Sequence, residues 1–352
     1  MQITPEVSEK IKLLRLPLII GIFTIHSYIT PVGYADKFFQ IFILNTWGAC
    51  CVPLLFIISG FLFFRNFNLS LNSYLEKLKS RFWTLLVPYL FWNLALLAMV
   101  LIVAKISPTS TTLQGQYIKY IEDYSFANFI DCLTGYRDGY PLSFQLWYVR
   151  DLIAMVILSP VFLLVARKIP YLGLALFAAP WLLNLQLGSI EIKFFGPLFF
   201  YLGCLIAVQN LDLTWLNRRK NLIIGIYLAM AVVLAIIKTS EIENFPQHLF
   251  ECCTIVVGTM AIWCASDLIT GKLQKVCLNL SGLAFFVYAS HEPMLAVLNG
   301  SFQKLSKTPN SITVMVQYLF IVTITTLITL AAGSLLQRYT PKFFQVITGG
   351  RG

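Results

Sequence analysis

LRLPLIIGIFTIHSY, Leu14–Tyr28, is apolar enough to cross a bilayer, yet it carries two groups that lipid disfavours, Arg15 and His26. They stand eleven residues apart. At ~100° per residue this is three turns plus ~20°, so on a helix both side chains share one face, ~16 Å apart along the axis. The segment is too long, and too interrupted by its two polar groups, for a signal peptide. No small-residue cleavage site follows it, so it reads as a permanent helix. From this stretch alone the pair has two readings. One is an arginine snorkelling to the surface beside a hydrogen-bonded core histidine. The other is a functional site, which intramembrane ionisable residues mark by default.

The rest of the chain continues the pattern. Its 352 residues are 58% hydrophobic and 12% charged, with a mean hydropathy of +0.75. A soluble domain cannot hide that much apolar surface, so the composition predicts an all-α integral membrane protein. Ten apolar spans are expected, near 11–30, 43–64, 82–104, 145–166, 171–188, 193–209, 221–238, 248–266, 277–298 and 312–336. All but 171–188 and 193–209 are long enough for a hydrocarbon core of ~30 Å. No soluble domain, low-complexity run or internal repeat interrupts them, and 1–352 reads as a single transmembrane domain.

Ten spans put both termini on one side. Of the 26 Lys and Arg, seventeen fall on that side and eight on the other, with Arg150 alone inside a span. Positive-inside bias then places both termini in the cytoplasm. The net charge of +10 is mostly this bias, and no basic run is interleaved with aromatics, so a nucleic-acid partner is not expected. The eight cysteines show neither CxxC nor metal-ligand spacing. They read as small buried hydrophobes, with no disulfide framework and no metal site.

The longest connection, 105–144, falls outside and contains YIKYIEDYSFANFIDCL, whose aromatic and Ile/Leu spacing suits a short amphipathic helix on the membrane surface. Glu122, Asp123, Asp131 and Asp138 collect there. Long loops in compact proteins are often functional, and this one is placed to cap a site from outside. The basic loop 65–81 is its inner counterpart.

Sorting polar residues by depth separates two groups. His26, Arg150 with Asp151, His291 with Glu292, and His248 all fall in the outer part, so the three histidines share one depth. Charges gathered in this way need to pair or to line a wet cavity. Adjacent Arg150 and Asp151 are expected to find partners elsewhere rather than each other. Each group also has a plainer reading: an interhelical ion pair for Arg150, a helix kink for His291-Glu292-Pro293, an interfacial ring for His248. The inner group comprises Ser59 and Gly60 near the cytoplasmic boundary, with Arg15, Lys77, Lys79 and Arg81 at the same level. Cations for phosphates and a glycine for close approach suit a polyanionic ligand entering from the cytosol. The plainer reading is topology anchors and small-residue helix packing.

These pieces resemble the membrane-bound acyltransferase-3 family, whose members mostly O-acylate carbohydrates of the bacterial envelope. The matching residues are Arg15-x10-His26, FIISGFLF (Phe56–Phe63), the basic stretch leading into VPYLFWN (Arg81, Pro88, Tyr89), LWYVRDL (Leu146–Leu152) and SGLAFFVYASHEP (Ser281–Pro293), in family order. The resemblance implies ten helices in the bacterial inner membrane around an embedded active site. It implies a cytoplasmic acyl-CoA donor, usually acetyl-CoA, and a carbohydrate or lipid-linked glycan acceptor. His26 then looks like the catalytic base or acyl carrier, with Arg15 its essential partner. Arg81, Lys77, Lys79, Ser59 and Gly60 fall on the donor side. Arg150, Asp151, His291 and Glu292 fall on the acceptor or oxyanion side. The family usually offers two arginines three apart before the third helix; here Arg81 takes the first place and Thr84 the second, with Lys77 and Lys79 as the nearby substitutes. No appended hydrolase-like domain is expected, so the membrane domain and its outer loops must handle the acceptor.

A second class fits the same charges: a transporter or flippase for a polysaccharide or acidic metabolite, with membrane charges lining a path. Against it, no repeat relates the two halves and no matched pair of broken helices is evident. A third possibility, a sensory or assembly protein that has lost catalysis, sits poorly with retained Arg15 and His26.

Overall fold

The structure is a computed structural model that describes residues 5–65, 67, 70–106, 125–137, 139–185, 194–212, 214–241, 244–305 and 309–351. Among these residues every regular element is helical. In chain order they are α1 (Pro5–His26), α2 (Tyr34–Ile43), α3 (Ala49–Phe64), α4 (Leu71–Arg81), α5 (Val87–Ile106), α6 (Phe126–Thr134), α7 (Trp147–Ile157), α8 (Ser159–Lys168) and α9 (Pro170–Leu182). Then follow α10 (Phe195–Val208), α11 (Thr214–Arg218), α12 (Lys220–Thr239), α13 (Phe245–Ala265), α14 (Gly271–Leu280), α15 (Ala284–Leu305), α16 (Ser311–Tyr339) and α17 (Pro341–Thr348). Single π-helical turns, Leu44–Gly48 and Phe82–Leu86, join α2 to α3 and α4 to α5.

Among the described residues each of the ten apolar stretches falls mostly on helix, but they are unequal. Five helical runs are long and apolar enough to cross a membrane: Tyr34–Phe64, Leu71–Ile106, Lys220–Thr239, Phe245–Leu268 and Ser311–Tyr339. A sixth counts only if a broken pair is taken as one, because α7 and α8 bend by 63°. The sequence supplies the cause: Pro160 cannot donate to the turn before it, and the straight helix expected over 145–166 breaks at Leu158. Helices α9 and α10 have 13 and 14 residues. At 1.5 Å per residue each is only ~20 Å long.

Local signals set the ends. Ser70 accepts from the Ser73 amide at 3.2 Å to start α4, and Asn244 accepts from Gln247 at 2.9 Å to start α13 beside Pro246. Asp36 is fully buried and accepts from the Val32 and Gly33 amides at 2.8 and 2.9 Å and from Ser311 at 2.8 Å, which ties α2 to α16. Of the outer-loop helix expected around 117–133, α6 is what falls among the described residues, capped by Ser125 and closed by Gly135 at φ 62. The stretch 107–124 and Asp138 lie outside the described residues.

Helix α1 occupies the middle of the bundle. It packs against α3, α14, α15 and α16, and its buried residues, from Lys10 to Thr24, run all round its surface. An apolar helix without a polar face belongs in a core. Lys10 is held there by an ion pair to Asp267 at 2.7 Å and by the Trp263 ring beneath it at 4.8 Å. The most extensive helix pair is α3 with α10. Gly60 and Gly203 make that crossing: a Cβ on Gly60 would stand 2.2 Å from the Phe200 carbonyl oxygen, and one on Gly203 2.2 Å from that of Ile57. Backbones meet there directly, as small residues allow inside membranes.

Candidate active site

Two polar regions lie along α1. The inner one is a cavity of about 220 Å³ whose walls come from α1, α3, α4, α7, α15 and residue 351. Arg15, Arg81 and Arg351 line it together with Ser59, Tyr148, Ser281 and Tyr288, and the remaining lining is apolar. Among the described residues no carboxylate lines it. Ser59 Oγ and the Tyr148 hydroxyl share a hydrogen bond of 2.9 Å across the α3–α7 seam. The π turn after α4 brings both Arg81 and Leu85 to the wall. Arg81 rests over the Phe63 ring at 5.8 Å and Arg351 over Phe285 at 4.5 Å. Burial lowers the Arg351 guanidinium to about 10, opposed by Tyr148 and reinforced by Arg81 and Arg15; it stays charged at neutral pH.

The outer region is a pair of imidazoles. The His26 and His291 rings are 5.4 Å apart. His291 is fully buried, stacks on Phe23 at 4.4 Å, and donates from Nδ1 to the Tyr288 carbonyl at 2.5 Å. That bond fixes the tautomer, because a carbonyl only accepts, and it leaves the Nε2 lone pair bare in the neutral ring. Nε2 has no hydrogen-bond partner among the described residues. His26 makes ring contacts with His291 and, at 5.2 Å, with Phe144, and no hydrogen bond among the described residues. Neither histidine lines the inner cavity. Tyr288 joins the two regions: its side chain is on the cavity wall, its carbonyl holds His291, and its hydroxyl donates to the Gln145 carbonyl. Gln145 in turn donates to the Ala289 carbonyl at 3.0 Å, fastening the start of α7 to α15.

The other residues singled out from the sequence are placed differently. Gly60 faces α10, not the cavity. Lys79 is exposed on α4 and lines nothing. Lys77 donates to the Phe63 carbonyl and lies over the Phe63 and Phe67 rings at 4.9 and 5.7 Å, so it closes the α3–α4 corner. Arg150 does pair with its neighbour, Nε to Asp151 Oδ1 at 2.9 Å, because the guanidinium folds back along its own helix. Its Nη1 donates to the Thr134 and Gly139 carbonyls at 2.9 and 2.7 Å. Arg150 thus clamps the outer loop and makes no contact with the imidazoles. Glu292 is half-buried beside His291 and makes no hydrogen bond or ion pair among the described residues. His248 bonds the Trp181 carbonyl at 2.8 Å, tying α13 to α9, so only two of the three histidines come together.

Four residues of the two regions escaped the sequence reading. Tyr148 and Gln145 lie in or beside LWYVRDL, where Arg150 drew attention instead. Tyr288 lies in the apolar run before His291. Arg351 carried only the weight of a topology charge, and no pattern near it points to a site.

The class of protein is a membrane protein, helical throughout its described residues, with a basic cavity at one end of α1 and a pair of imidazoles, one of them fully buried, at the other. The chain matches the acyltransferase domain family (Acyl_transf_3) over residues 9–333, and it belongs to that family. Among curated proteins it is 27% identical over 363 residues to the succinoglycan biosynthesis protein ExoH of Rhizobium meliloti (strain 1021), covering 98% of this chain and 93% of the relative. No solved structure matches it.

Proposed function

We propose that this protein moves an acyl group, acetyl in the simplest case, from cytoplasmic acyl-CoA to a hydroxyl of an extracytoplasmic or lipid-linked carbohydrate. The observation that carries the reading is the stacking of two unlike regions along α1: Arg15 in a carboxylate-free cavity, and His26 beside a second imidazole higher up. Guanidiniums suit the phosphates of the donor. The apolar remainder of the wall suits its thioester arm. The relationship to a protein of succinoglycan biosynthesis supports a polysaccharide as the acceptor class.

In this reading His26 is the base. Its imidazole takes the proton of the acceptor hydroxyl as the oxygen attacks the thioester carbonyl. The carbon–sulfur bond then breaks, and the imidazolium returns the proton to the departing CoA sulfur. His291 is the group that receives the transient imidazolium, since its Nε2 is a buried acceptor without a donor. Two imidazoles joined by one N–H···N bond have centres ~5.2 Å apart by ordinary bond geometry. The observed 5.4 Å is close to that separation, so the bond would form once the two nitrogens face each other. Tyr288 and Phe23 fill the space around this pair, so the thioester reaches His26 only if Tyr288 yields.

The topology that goes with this reading has ten spans with both termini cytoplasmic in the bacterial inner membrane, the shorter α9 and α10 included. The seventeen-to-eight distribution of Lys and Arg supports it.

The test is purified protein in nanodiscs with labelled acetyl-CoA and a polysaccharide or glycolipid acceptor. Label is expected in the acceptor with wild type and not with His26→Ala. Transfer undiminished in His26→Ala sinks the assignment. Wild type whose melting temperature does not respond to CoA sinks the donor and returns the transporter reading.

A further inference from the structure

Three guanidiniums around one cavity repel each other, and inside a bundle they do so more strongly than in water. Arg15 and Arg81 arrive there on long helices, but Arg351 is delivered by a separate device. Helix α17 packs against α5 and α16: Phe343 meets Phe91 at 5.6 Å, the buried Phe344 meets Phe286 of α15 at 5.8 Å, and the Trp92 indole N–H donates to the Ile347 carbonyl at 3.1 Å. It then ends in a tight reversal. The Gly350 amide donates to Gln345 O at 2.7 Å and the Gly349 amide to Val346 O at 3.3 Å, the two bonds of a Schellman cap. Gly349 and Gly350 have φ of 65 and 70, a left-handed region in which side chains are strained. A Cβ on Gly349 would also stand 2.4 Å from the Thr84 carbonyl oxygen, so the reversal presses on the π turn that follows Arg81. It turns the chain back, and Arg351 meets the cavity over Phe285.

A cation brought by such a turn to a cavity that already holds two others, with no carboxylate on its wall among the described residues, is arranged for an anion. The geometry points to Arg351 as a phosphate-binding residue of the acyl-CoA donor site, with the Gly349-Gly350 reversal as its positioning element. This rests on the donor reading above. It adds a third guanidinium from the opposite end of the chain and assigns a purpose to α17.

The experiment is CoA binding by titration calorimetry to the full-length protein in nanodiscs, with thermal unfolding as the folding control. Arg351→Gln is expected to weaken CoA binding roughly tenfold to a hundredfold, the loss of a charge-assisted contact. Its melting temperature without CoA should stay near wild type. Arg351→Lys should recover part of the affinity. Gly350→Ala is the second probe: a Cβ there meets open space, so only the backbone strain is felt. It is expected to weaken CoA severalfold while leaving Arg351 in place. If Arg351→Gln and Gly350→Ala bind CoA as wild type does while Arg81→Gln does not, this inference is overturned and the donor reading survives. If wild type itself does not bind CoA, the donor reading falls and takes the inference with it. Should Arg351→Gln fail to fold, Arg351→Lys and Gly350→Ala decide on the same criterion.

Discussion

Two polar groups of α1, Arg15 and His26, are accommodated in opposite ways. At the inner end, Arg15 keeps its charge beside two other guanidiniums in a cavity. At the other end, His26 sits against Phe144 and the fully buried His291 ring, which itself rests on Phe23 and Tyr288. The first arrangement gathers three cations around one cavity. The second leaves one lone pair, His291 Nε2, without a donor among the described residues. One stretch of helix therefore carries a basic cavity at one end and an imidazole pair at the other, and Tyr288 touches both. Substitutions at the two ends should separate binding from chemistry.

The largest separation is expected at His26. His26→Ala should lower the transfer rate by ~10²–10⁴-fold, the usual contribution of a general base. CoA affinity should stay within about twofold of wild type, because His26 is not on the cavity wall. Single-turnover transfer and calorimetry on the same preparation read both quantities. Equal loss in both would merge the two regions into one.

Next is the partner ring. His291→Asn keeps a donor for the Tyr288 carbonyl and removes the second nitrogen. The expected result is a ten- to hundredfold fall in kcat with little change in donor KM, as for an orienting group behind a catalytic imidazole. A fall in thermal stability without a change in kcat would make His291 a packing residue. The reciprocal variant, Arg81→Gln, should raise donor KM roughly ten- to a hundredfold with kcat nearly kept, the worth of one charged contact. Steady-state kinetics against acetyl-CoA distinguishes the two patterns.

Much of this contrast is legible in the sequence, and the rest is hidden for identifiable reasons. Arg15 and His26 share a face because helical periodicity is local, and the bundle keeps them on one helix. The matching places of His26 and His291 along their apolar stretches suggest that they lie near each other, and the two rings meet. What depth cannot supply is direction around the helix. Gly60 lies one residue from Ser59, yet Ser59 lines the cavity while Gly60 turns to Gly203 on α10. Arg150, grouped with the histidines by its place in the sequence, reaches instead to Thr134 and Gly139. Arg351 depends wholly on tertiary docking: an amphipathic eight-residue helix and two glycines carry no local sign that they end beside residues 15 and 81. The kink at Pro160 is the reverse case, since a proline inside an apolar span is legible and its consequence is the 63° bend.

Gly60 gives a prediction that tests packing against ligand approach. Gly60→Ala would push a methyl group into the Phe200 carbonyl, and overpacking of this kind costs ~1–3 kcal/mol. A lower melting temperature with unchanged donor KM is expected. A raised KM at full stability would instead return Gly60 to the ligand's path.

The smallest effect is expected among the lysines, where sequence proximity and structural role part most clearly. Lys77 and Lys79 are two residues apart on α4, and two positions on a helix face away from each other. Lys79 is exposed, so Lys79→Ala should leave stability, donor KM and kcat within about twofold of wild type. Lys77 bonds the Phe63 carbonyl and covers two rings of the α3–α4 corner. Lys77→Met keeps the apolar stem and removes the charge, so it should lower the melting temperature modestly and disturb donor KM only through Phe63, on which Arg81 also rests. If Lys79→Ala raises donor KM as much as Arg81→Gln does, the donor's phosphates extend beyond the cavity onto the face of α4, and the inner region is a surface rather than a pocket.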